Sequence, residues 1–421
     1  MAVSGPGTPG TVRSTGPPAG GPVPAGARRI KAYADVVWRR LRPGERSALP
    51  VVLGLVVVWA VFQSQNGNFL SPRNLSNISV DLVSTGMIAA GLIFVLVIGE
   101  IDLSVGSLSG LAGAVYAALN VSHGVPEWLA VLLALASGAA AGALQGFFVA
   151  RARVPSYAIT LAGLLAWNGL MLYLLSPTGT IDINDNGFVA SLTDHYFSDV
   201  WVAYGLATLG TAGYVLTAHL RVRRRKAAGV PHQPLTEIWV RAALLAGLAF
   251  TAAWMLNRFQ GVPLALLIFL IVVAGLDYVL RRTSYGRMVI ALGGKGEGAR
   301  RAGIDVLRVR VSVFMMSGTL AAVGGLFMTS RLVSASQATG SDGQVLINAV
   351  AAAVLGGTSL FGGRGTIWSA LFGVLVIESI ASGMALLGAG QPLQFVITGG
   401  VLFVAVVIDS LLHHPPARNR A

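Results

Sequence analysis

Apolar stretches recur along this chain from residue 48 to residue 412, and several reach the ~20 residues that a helix needs to cross a bilayer. They lie near 48–66, 75–98, 104–120, 127–150, 156–175, 200–219, 237–256, 261–280, 311–330, 344–361, 366–386 and 393–412. The third and tenth are short or glycine-rich and are expected to be broken or to cross only in part. Charged residues make up 11% of the chain, against about 25% in a soluble domain. The expected fold is therefore an all-α integral membrane protein with about 10–12 transmembrane helices. It forms one domain over 48–412, with no separate soluble body.

Lysine and arginine orient that domain. If the N-terminus is cytoplasmic, strict alternation places 1–47, 151–155, 220–236, 281–310, 362–365 and 413–421 inside, and these segments hold 26 of the 30 basic residues. Both termini are thus expected in the cytoplasm. Residues 1–47, rich in Gly, Pro and Arg, read as a disordered basic tail without a signal peptide's early apolar core. Residues 413–421 read as a second, short tail. The run Arg221-Val222-Arg223-Arg224-Arg225-Lys226 reads as a solvated loop touching anionic membrane lipid. Each basic patch flanks a span, so the net charge of +13 does not indicate nucleic acid.

No cysteine is present, which removes disulfides and thiolate metal sites. The exterior stretch 176–199 carries Asp182, Asp185, Asp194, Asp199 and His195 but lacks an EF-hand pattern, and it reads as a polar loop. The six histidines scatter over loops and span ends, and no nucleophile–base pair appears. The chain is expected to have no catalytic, cofactor or metal residues.

Two features stand out within the apolar segments. Gly138, Gly142 and Gly146 recur every four residues, and Gly106 and Gly110 repeat that spacing. Small residues let helices approach closely where lipid supplies no hydrophobic drive. The second feature is Asp102, in FVLVIGEIDLSVGSLSG, which follows a run of pure hydrocarbon. A carboxylate in a bilayer is expensive and marks a broken helix shielded from lipid. Asp102 or Ser104 can cap a new helix, with Ser107 one turn on. The residues leave three roles open for Asp102: a structural cap, the lining of a route, or coupling to a proton or sodium ion. Glu378, deep in the eleventh segment, is a further route candidate, and Gln145, Trp167 and Asn168 add polar or aromatic groups.

The segment 281–310 is too charged to enter lipid. Within it, Glu297 to Ile304 can form a short helix closed by Gly303. Its GGKG string lacks the GxxxxGK[ST] pattern of a phosphate loop, so any ATP would have to act through a docked partner.

Four stretches carry a resemblance: GEIDLSVGSLSG at 99–110, VPSYAITLAGLLAWNGL at 154–170, GRMVIALGGKGEGARRAGI at 286–304 and DGQVLINAVAAAVLGGTSLFGGRGT at 342–366. With them the chain resembles, over about residues 70–410, the membrane permease subunits of bacterial ABC sugar importers of the ribose/xylose/galactose type. Within that family it is most similar to the xylose-type branch, which the added length around 220–236 also resembles. The resemblance implies monosaccharide import, a second permease subunit of identical sequence, a cytoplasmic ABC ATPase that binds ATP and Mg, and an extracytoplasmic sugar-binding protein. It implies that Gly286, Glu297, Ala299, Arg301 and Gly303 belong to the loop coupling to the ATPase. It covers Asp102 and Ser104 better than Glu100, where many family members carry glycine. Branched-chain amino-acid or nucleoside permeases are the alternative, followed by an ion-coupled secondary transporter.

Overall fold

In a computed structural model, the described residues are 49–152, 154–230, 234–294, 296–337, 343–360 and 362–413. The tails expected at 1–47 and 413–421 lie outside them apart from the backbone of His413, as does the side chain of Glu297. All twelve apolar segments are helical. In chain order they are α1 (Leu49–Gln65), α2 (Pro72–Val97), α3 (Val105–Ala117), α4 (Glu127–Arg151), α5 (Ser156–Leu174), α7 (Val200–Ala227), α8 (Leu235–Asn257), α9 (Leu264–Arg282), α12 (Val306–Leu332), α13 (Gln344–Leu355), α14 (Trp368–Leu386) and α15 (Gln391–His413). Short helices α6 (Phe188–Asp194), α10 (Ser284–Gly294) and α11 (Gly296–Arg301) lie between them. Among the described residues, nine helices are long and apolar enough to span a membrane, and three shorter apolar helices accompany them. α3 runs on as a π-helical turn over Ala118–Ser122, and the continuous stretch Val105–Ser122 is long enough to span, so the third segment is not the broken or partial crossing expected. The tenth, α13, is one of the three shorter helices.

Composition decides which helix lies where. The second half of α2, from Gly86 to Val97, is apolar all round, which suits an enclosed helix, and α2 is buried from Leu82 to Val97. Ser71 caps its start by accepting from the Asn74 N–H at 3.3 Å, and Pro72 occupies the first turn, where its missing N–H loses nothing. α12 is the second interior helix, capped by Asp305 accepting from the Arg308 N–H at 3.1 Å. By contrast, α7 buries only Ala203 and Ala207. It also runs further than its apolar segment suggested, carrying Arg221–Lys226 on its last turns. Long cationic side chains on a helix end reach water without unwinding the backbone.

The 176–199 stretch is more ordered than a loop. β1 (Thr180–Asp182) pairs antiparallel with β4 (Ser334–Ser336), and β2 (Tyr196–Phe197) with β3 (Val262–Pro263). Between them, α6 begins at Gly187, which has no side chain to cap it. Glu127 of α4 substitutes: its carboxylate accepts from the Phe188 N–H at 2.8 Å and the Val189 N–H at 2.7 Å, and from the Tyr116 hydroxyl at 2.7 Å. An anion at the positive end of a helix is favourable, and this one ties the exterior segment to the bundle.

Gly138, Gly142 and Gly146 all face α12: a Cβ added at each would strike Gly318, Phe314 and Val311 respectively. Gly318 answers Gly138 from the other side, so two glycines meet at this crossing. Gly106 lies against Leu346 of α13, and Gly110 is buried in α3. On the exposed side of α7, Gly213 meets nothing. Replacing Gly142 with Leu is expected to destabilise the protein by about 3 kcal/mol or more, since the backbone of α12 cannot yield as a side chain would. Gly213→Leu should change little. Thermal unfolding of the two variants in detergent checks the contrast.

Candidate functional site

The break between α2 and α3 is built from a glycine, a carboxylate and three neighbouring helices. Gly99, with φ of 79°, ends α2 in a left-handed turn that a side chain would strain. Its N–H donates to Leu96 O at 2.9 Å, and the Glu100 N–H donates to Val95 O at 3.1 Å, the paired bonds of a Schellman cap. The Val97 carbonyl, otherwise an orphan of the helix end, accepts from the Gly363 N–H at 2.9 Å. Ile101 next gives its N–H to Ser156 Oγ at 3.1 Å, and its carbonyl accepts from Thr160 Oγ1 at 3.3 Å.

Asp102 follows with 0% exposure. Its Oδ1 accepts from the Ser104 N–H at 3.0 Å and the Ser104 hydroxyl at 2.7 Å, and its Oδ2 accepts from the Ser317 hydroxyl at 3.0 Å. The bond to the N–H two residues on is an Asx turn, so the sequence expectation of a helix cap needs correcting. Ser104 sits at the N-cap position of α3 without a capping side-chain bond, because its hydroxyl is drawn to Asp102 and to Gln145 Oε1 at 3.0 Å. Ser107 donates to the Ser104 carbonyl at 2.9 Å and completes the first turn. Ser317 stands about 17 Å along α12 from Val306, well inside a bilayer's ~30 Å hydrocarbon depth.

α12 grips the same stretch a second time. Arg310, seven residues before Ser317 and so on the same helical face, pairs with Glu100 at 3.0 Å, the two side chains being 26% and 15% exposed. Arg310 Nε is buried without a partner. A cavity of about 870 Å³ adjoins the pair, lined by Arg151, Arg300, Ile304 and Asp305 among others.

Gln145 Nε2 and Trp167 Nε1 are both buried without a hydrogen-bond partner, and both lie where a Cβ on Gly163 would be. Asn168 Oδ1, next along α5, is likewise unpartnered. Hence Asp102, Ser104, Ser107, Gln145 and Trp167 gather around one break, and no contact among the described residues ties Asn168 to it. Glu378 does not join them. It accepts from Thr85 Oγ1 at 3.0 Å on α2, below a polar line in which Ser382 donates to Asn74 at 2.9 Å and Arg331 donates to Asp81 at 2.8 Å.

In the segment expected to couple, Gly286 packs on the Leu280 carbonyl and Ala299 is buried, while Arg301 is exposed. Gly303, with φ of 79°, closes α11: the Ile304 N–H returns to Ala299 O at 3.1 Å. Sequence reasoning missed Ser317, Arg310, Ser156, Thr160 and Thr85. A hydroxyl in a span is ordinary, and only Arg310, next to an apolar run, gave a signal.

A bundle of helices of membrane-spanning length around an interrupted one has the build of a transport subunit. Residues 74–406 match the family described as branched-chain amino acid transport system / permease component. The xylose transport system permease protein of Haemophilus influenzae is 34% identical over 86% of this chain and 95% of its own length. That of Escherichia coli is 33% identical over 86% and 91%. The ribose import permease protein of Bacillus subtilis is 31% identical over 90% and 95%. No solved structure matches. The chain belongs to the ABC importer permease family, among the sugar permeases of the ribose/xylose type. It is a multi-pass transport subunit of the inner membrane and not itself an enzyme.

Asp102→Ala strands the Ser104 N–H and the Ser317 hydroxyl, while the Ser104 hydroxyl keeps Gln145, and is expected to destabilise the protein by roughly 2–6 kcal/mol, about 1–3 kcal/mol for each stranded donor. Ser317→Ala removes one bond to a carboxylate and should cost about 1.5–3 kcal/mol. Unfolding midpoints in detergent rank the two, and a Ser317→Ala midpoint equal to that of the unsubstituted protein would show that α12 does not hold the break through Ser317.

Proposed function

We propose that the chain is the permease subunit of an ATP-driven importer that carries xylose or a closely related monosaccharide into the cell. The observation that carries this reading is the similarity to xylose permeases at 33–34% identity over 86% of the chain. Two copies would form the pathway, an extracytoplasmic binding protein would deliver the sugar, and a separate ATPase pair would bind ATP and Mg. Both chain termini, the basic tail at 1–47 and the loop 281–310 would face that ATPase.

The geometry favours coupling through α11. That helix presents Arg300 and Arg301 outward with Ala299 inward, and Gly303 hands the chain to α12, which holds Glu100 and Asp102. A push on α11 by the ATPase would therefore reach the break along one helix. Such coupling needs contacts that differ between two states. In this reading Asp102, Ser104 and Ser107 hold the break. The unpartnered Gln145 and Trp167 nitrogens and Asn168 oxygen offer hydrogen bonds to sugar hydroxyls, as does Glu378 on its separate face.

The test is uptake by vesicles holding the permease with its ATPase and binding protein, over a panel of pentoses, hexoses and branched-chain amino acids. Xylose should be carried best. Uptake of leucine in preference to every sugar would move the chain to the activity in the family's description. Gly303→Trp, which forces a bulky side chain into a left-handed turn, is expected to cut uptake at least tenfold while ATP hydrolysis continues. Gly303→Asn, tolerated in that conformation, should retain most of it.

A further inference from the structure

α7 and α8 lie side by side, and between them runs an open groove of about 520 Å³. Its walls are almost wholly apolar: Thr211, Val215, Leu216 and His219 from α7, with Trp239 and Phe250 from α8. The α7 residues recur at three- and four-residue steps from Thr208 to His219, one stripe of the helix about 17 Å long. That length matches the hydrocarbon of a single leaflet, half of the ~30 Å core. At the stripe's end the His219 and Trp239 rings meet edge to face at 5.7 Å. Trp at such a level is characteristic of the headgroup boundary.

The same stripe continues into charge. Steps of four and three beyond His219 reach Arg223 and Lys226, both exposed. Neither has a hydrogen-bond or ion-pair partner among the described residues, and the carboxylate of Glu237, in the first turn of α8, is paired with Arg241. A hydrocarbon slot one leaflet deep thus opens, past an aromatic boundary, onto two uncommitted cations. A second copy of the chain would bring its own cations to this face and be repelled.

We propose that the α7–α8 groove is a binding site for one anionic phospholipid, with an acyl chain along Val215 and Leu216 and the phosphate held between Arg223 and Lys226. A lipid there would complete a helix pair that has little protein around it.

Native mass spectrometry of the full chain, released from detergent with phosphatidylglycerol or phosphatidylcholine of identical acyl chains, tests this. Preferential retention of phosphatidylglycerol is expected. Arg223→Gln and Lys226→Gln should each lower its apparent affinity roughly fivefold, and Leu216→Trp should expel either lipid. Arg308→Gln, a charge change elsewhere, should have no effect. Equal retention of the two lipids, or unchanged affinity in the two Gln variants, would overturn the site. So would Leu216→Trp splitting an oligomer, which would make a second copy the occupant. The readout does not depend on what the permease carries.

Discussion

A chain that interrupts a helix inside a bilayer must find a partner for every backbone group it frees, since lipid offers none. Here that demand falls between Val97 and Val105, and the answer comes from far along the sequence. The Gly363 N–H, Ser156, Thr160 and the Asp102 carboxylate satisfy the freed groups in turn. Asp102 is itself unaffordable without partners, so Ser104 and Ser317 must be in place before the break can exist. The polar groups of one short turn thereby fix how α2, α3, α5 and α12 sit together.

Close approach of α4 to α12 is the second condition, because Gln145 reaches Ser104 from α4. Gly138 and Gly318 meet backbone to backbone, which removes the side chains that would hold the helices apart. Without a hydrophobic drive between helices in lipid, such packing supplies much of the attraction. Burial then falls away from this centre. α2 and α12 are the more enclosed, whereas α7 and α8 touch mainly each other and leave most of their sides exposed.

The two grips of α12 on the break, at Arg310 and Ser317, lie on one face of a single helix whose start follows Gly303. A rigid helix transmits displacement with little loss, so the segment resembling the coupling loop and the buried carboxylate are mechanically adjacent despite about 200 residues of intervening chain between Asp102 and Gly303. Glu100 gains a part in this that the family resemblance did not suggest. Its charge is balanced by Arg310.

Hydropathy by itself determined the helical membrane fold and the twelve apolar segments. It could do so because transfer into lipid depends on local composition. Asp102 was legible for the same reason: a carboxylate amid hydrocarbon is anomalous in one dimension. The glycine stripe of α4 was legible from its spacing. Tertiary structure alone decided that Ser317, 215 residues away, completes the Asp102 site, that Glu378 belongs to a different face, and that Glu127 caps α6. Hydrogen-bond partners depend on which helix faces meet, and that is set jointly by small residues on both helices, which no local window contains.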